Sequence, residues 1–76
     1  MNNFDLQEFL RIIEDEGCEL RTEIITIGDE RIQVALSREK QRSVHINITD
    51  EEMSLTTAKS LLRKLECEDL IERLNI

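Results

Sequence analysis

The sequence predicts an α+β domain of two layers in the order α-β-β-β-α. It has a three-stranded antiparallel meander, both helices on one sheet face, and a C-terminal helix kinked near Cys67. Three observations predict it. Apolar residues recur at three- and four-residue spacing at both ends of the chain and on alternate residues in the middle. The only glycines, Gly17 and Gly28, stand where one pattern gives way to the next. A chain of 76 residues buries only about 60–65% of its unfolded surface, enough for one thin core within a single domain spanning 1–76.

The first helix is expected to start after Asn2 or Asn3, either of which can cap it, and to run to about Glu16. Leu6, Phe9, Leu10 and Ile13 form its apolar stripe, flanked by Phe4 and Ile12, and Gly17 is the natural stop. Glu14, Asp15 and Glu16 crowd the last turn, where the helix dipole favours cations. A basic neighbour or plain water would relieve that cost.

Three strands follow. Cys18, Leu20, Thr22, Ile24 and Thr26 share one face of the first. Ile32, Val34 and Leu36 do so in the second, and Val44, Ile46 and Ile48 in the third, with Ala35, Ser37, His45 and Asn47 facing away. Turns are expected at Gly28-Asp29-Glu30 and around Glu39-Lys40-Gln41. Pairing Ile24 with Val34, and Leu36 with Val44, puts every aliphatic of strands two and three on one face. Ile25 and Ile27 then point to the polar face unless a bulge near Ile24 turns them inward.

Thr49-Asp50-Glu51-Glu52 reads as a capping box for the second helix, with Ser54 or Thr56 as alternative starts. Ala58, Leu61, Leu62 and Leu65 form its stripe. Cys67, Leu70, Ile71 and Leu74 continue the spacing about half a turn away. One straight helix cannot bury both stripes. Either it breaks near Cys67, or its last turns offer an apolar face to another chain. Asp69-Leu70-Ile71-Glu72 matches a second cap and favours a break followed by a short helix.

The net charge of −7 is confined to the helical segments: −4 over residues 1–17, zero over 18–49 and −3 over 50–76. Such a surface repels phosphate backbones and anionic lipid and suits a basic protein partner. No apolar run approaches the roughly 20 residues of a membrane span, and Met1-Asn2-Asn3-Phe4-Asp5 lacks the basic start of a signal peptide. The expected compartment is the cytoplasm, which makes the Asn47-Ile48-Thr49 sequon incidental.

Chemical signatures are few. Two cysteines and one histidine without a Cys-x-x-Cys predict no metal, and isolated glycines predict no phosphate cradle or other cofactor site. His45, on the open sheet face, has no second feature to make it a catalytic base, so no enzyme is expected. Arg38, Lys40 and Arg42 concentrate positive charge at the second hairpin, as a solvated turn or a contact for an anion or acidic partner. The element order also resembles that of the double-stranded RNA-binding domain, and Thr57-Ala58-Lys59 resembles the start of that family's second helix. The resemblance implies phosphate-gripping lysines just before this tripeptide. Leu55 and Thr56 stand there instead, behind Asp50, Glu51 and Glu52, so it extends to topology alone.

The functional expectation is a small acidic protein-interaction module, not an enzyme, of the regulatory or accessory kind found in bacteria and phages. Its interaction residues are Leu70, Ile71 and Leu74, with Ile76 beyond, joined by Ile25 and Ile27 on the sheet. Self-association through the C-terminal helix makes a homodimer the expected assembly, with a basic protein as the other candidate partner and neither nucleic acid nor membrane bound directly. The alternative is an acidic inhibitor that imitates nucleic-acid charge to block a nuclease or another DNA-binding protein. Its acidic surface would comprise Glu14, Asp15, Glu16, Asp50, Glu51 and Glu52.

Overall fold

The computed structural model describes residues 3–74. Its elements are β1 (Asn3–Asp5), α1 (Leu6–Asp15), β2 (Glu19–Ile27), β3 (Glu30–Ser37), β4 (Arg42–Asn47), β5 (Glu52–Ser54), α2 (Leu55–Lys64), a 3₁₀ turn (Glu68–Leu70) and α3 (Ile71–Leu74). The α+β class and the antiparallel meander β2-β3-β4 are as the periodicity predicts. A second sheet, β1 with β5, was not expected. It pairs Phe4 with Met53 beneath the core and ties the starts of both long helices together.

These short strands displace both expected caps. Asn3 lies within β1, and Asp5 caps α1 instead, its carboxylate accepting from the Glu8 amide at 3.3 Å. Asn2 lies outside the described residues. At the second helix the capping box fails, because Glu52 is in β5, and Ser54 takes the cap by accepting from the Thr57 amide at 3.1 Å. Thr49 is drawn to the sheet, where its hydroxyl accepts from the Arg31 amide at 2.8 Å.

The two long helices end alike. In α1 the Cys18 amide donates to Ile13 O and that of Gly17 to Glu14 O. In α2 the Cys67 amide donates to Leu62 O and that of Glu66 to Arg63 O. Both are Schellman ends, which need a left-handed residue before the cysteine. Gly17 supplies it at φ 100° and Glu66 at φ 59°. The chain therefore breaks at Glu66-Cys67, as expected, and the 3₁₀ turn and α3 fold back. The expected cap at Asp69 does not form, since Asp69 lies inside the 3₁₀ turn.

The strand register differs from the expected one by a single residue in each hairpin, and the cause lies in the loops. Gly28-Asp29 is a two-residue turn, with Gly28 alone at positive φ (60°), the type II′ pattern. The second loop has four residues, 38–41, with Gln41 at φ 56°. Loops of even length reverse the parity that three-residue turns would give. Ile24 thus faces Gln33, and Val44 faces Ala35. Because Val44 and Ile46 turn inward, Ala35 and Ser37 turn inward with them. Small residues there let α1 and α2 settle closely on the inner face, where Phe9, Ile13, Ile46, Leu62 and Leu65 are fully buried. Ile32, Val34 and Leu36 go to the other side.

Candidate protein-docking surface

The outer face of the meander is built by that parity. Residues opposite one another on antiparallel strands share a face, so Ile25 and Ile32 lie side by side, Val34 lies beside His45, and Leu36 between Glu19 and Ser43. Ile27 joins them two residues on from Ile25. A bulge does occur before Ile24, with Arg21, Thr22 and Glu23 opposing Val34 alone. It inserts two residues, which preserves alternation, so Ile25 and Ile27 stay outside. The Gln33 side chain donates to Arg21 O at 2.7 Å and satisfies the carbonyl the bulge frees.

Five aliphatic side chains therefore share a face that no described element covers. Ile25 is 45% exposed and Ile27 64%, while Ile32, Val34 and Leu36 are half-buried yet do not pack against the core. Ile24, on the other face of β2, is 48% exposed. A shallow cleft of about 270 Å³ opens among Arg21, Glu23, Ile25 and Val34. Around the rim, Arg38 forms a bidentate pair with Glu19 at 2.7 and 3.2 Å, and Asn47 donates to Glu30 at 3.1 Å. The Arg38 guanidinium holds the Glu19 carboxyl below its ordinary range. Neither Arg21 nor Glu23 forms an ion pair among the described residues.

Among the described residues expected to interact, only Ile25 and Ile27 are exposed. Leu70 and Leu74 are each 3% exposed within the chain's own core, and Ile71 packs against that core. The break at Glu66-Cys67 turns the second apolar stripe inward, which removes the spare face that the C-terminal helix was expected to present. Ile76 lies outside the described residues.

The six expected acidic residues are exposed but form two clusters. Asp50, Glu51 and Glu52 sit at the start of α1, where Glu51 O accepts from the Leu6 amide, and Glu14, Asp15 and Glu16 sit at its end. A ten-residue helix separates them by about 15 Å. Arg73 approaches Asp15 at 3.9 Å and offsets some of the charge at the end of the helix. The basic hairpin is spent on internal pairing: Arg42 bonds the Glu66 carboxylate, Lys40 donates to the Glu66 carbonyl, and Arg38 holds Glu19.

Cys18 and Cys67 are both buried and free; the Cys67 thiol donates to Leu65 O at 3.5 Å and lies near enough to Cys18 to raise its pKa. His45 is exposed on the outer face, away from both. Among the described residues no three His, Cys, Asp or Glu side chains are placed to hold a metal ion, and no helix is long and apolar enough to cross a membrane. Comparisons with protein-family models, curated proteins and solved structures find no match.

Proposed function

We propose that this chain is a non-enzymatic protein-interaction module that docks through the outer face of its meander. One observation carries the reading: Ile25, Ile27, Ile32, Val34 and Leu36 form a contiguous aliphatic face that the chain's own core does not use. Scattered exposed aliphatics are ordinary, but a contiguous patch is the mark of a contact surface. A small regulatory or accessory role in the cytoplasm of a bacterium, for the cell or for a phage infecting it, belongs to the same proposal. The acidic-inhibitor reading comes second; exposure of both acidic clusters favours it, and their separation weakens it.

Photo-crosslinking residues placed one at a time at Ile25, Gln7 and Thr56 separate the two in cells of the native host. Adducts with protein are expected from Ile25 and not from the two helical-layer positions. Adducts from Gln7 or Thr56 alone would favour the acidic surface. No adduct at any position would overturn docking altogether.

A further inference from the structure

We infer that the occupant of the outer sheet face is a second copy of this chain, packed sheet against sheet with the acidic helices outermost. The inference rests on the docking reading above and adds the identity of the partner.

Charge is the first ground. The outer face carries Glu19, Glu23 and Glu30 against Arg21 and Arg38, a net of −1 in a chain of −7. Two copies meeting through their helical layers would bring like charges together. Meeting through their sheets, about 10 Å apart, they hold the acidic layers more than about 20 Å from one another, well beyond the Debye length of about 8 Å. A basic partner would find its complement on the helices rather than here.

Reciprocity is the second. Arg21 and Glu23 are opposite charges two residues apart on the same face of β2, both unpaired among the described residues and both beside Ile25 and Val34 in the cleft. In an interface of twofold symmetry, every contact occurs twice with the roles exchanged. Arg21 can therefore answer the partner's Glu23, while its own Glu23 answers the partner's Arg21. A patch holding both halves of an ion pair is complementary to itself.

Area sets the strength. Three strands about 4.8 Å apart and nine, eight and six residues long present roughly 370 Å² in projection. That is under half of the about 800 Å² per partner of a standard interface, so the contact is a weak one and the dimer should dissociate on dilution.

Sedimentation velocity across a concentration series, from low micromolar to near-millimolar, tests this with wild type, Ile25→Glu, Arg21→Glu, Glu23→Arg and the double reversal Arg21→Glu/Glu23→Arg. Circular dichroism checks that each is folded. Wild type should dimerise reversibly and Ile25→Glu should be a folded monomer. Each single reversal creates two like-charge contacts per dimer and should weaken association about tenfold. The double reversal should restore it to within a few-fold, which an unrelated partner would have no reason to allow. Amide resonances that shift on dilution should map to Ile32, Val34 and His45. A wild type monomeric at every concentration overturns the inference, as does a double reversal no better than the singles, or dilution shifts confined to the helices. A monomer that still crosslinks from Ile25 to a different protein would overturn the second copy and leave the docking face standing.

Discussion

Cys18 and Cys67 occupy the same position of two identical helix ends, the second residue past the cap, and the fold brings those ends together. Each is a small apolar plug that covers the end of a helix. Burial first, and then the neighbouring Cys67 thiol, push Cys18 up to about 11 from an ordinary value of 9.0. Between about pH 9 and 11 the unfolded chain releases the Cys18 proton while the folded chain keeps it, so the folded state binds more protons. The stabilisation is complete below about pH 9 and is lost as the pH rises toward 11. Urea midpoints should therefore be flat to about pH 9 and then decline. In Cys18→Ala, less stable throughout, the decline should be shallower by the contribution of this one group. The chain has no tyrosine, and lysine titration is common to both proteins and cancels in the comparison.

At the scale of elements, β3 decides what the protein shows to its surroundings. Ala35 is wholly buried beneath the helices, and Val34 stands on the opposite face beside His45. Ala35→Leu should thus overpack the core and cost about 1–3 kcal/mol. Val34→Thr should leave monomer stability within about 0.5 kcal/mol, since it changes a half-exposed site. Chemical denaturation of both variants checks the register directly, because a shift of one residue would exchange the two results. The same strand shows where sequence reading stops. The helices, the meander, the turn at Gly28 and the break at Cys67 were legible from periodicity, glycines and cap patterns. The register was not, because Val34 and Leu36 suit a buried face as well as an exposed one. Only whether each loop has an odd or even number of residues distinguishes the two. Gly28-Asp29-Glu30 and Gly28-Asp29 are equally plausible turns on paper. Likewise β1 and β5, with three residues apiece, are too short to carry a period. Ile25 and Ile27 stand out in the sequence as aliphatics on a polar face, whereas the aliphatics of β3 that complete that face read from alternation as core.

The whole molecule is thin, 17 Å across its shortest Cα dimension, and one layer of helices must cover the inner sheet face by itself. Neither α1 nor α2 suffices, and the folded-back segment after Cys67 supplies Leu70 and Leu74 to the same core. That gives the C-terminal turn a role in stability out of proportion to its length. A domain of this size is stable by about 4–11 kcal/mol. Replacing one of these leucines with glutamate removes packing worth roughly 2–5 kcal/mol and places a carboxyl where nothing bonds it. Leu70→Glu/Leu74→Glu should therefore abolish the cooperative thermal transition seen by circular dichroism, at any protein concentration. Ile25→Glu, on the outer face, should keep that transition with its midpoint little changed. A folded monomer from the double variant would return the terminal stripe to the surface and reopen the C-terminal helix as the assembly face. Unfolding of that variant beside an intact Ile25→Glu would divide the chain's apolar residues between two tasks, with the helical stripes holding the core and the sheet's outer face left for a partner.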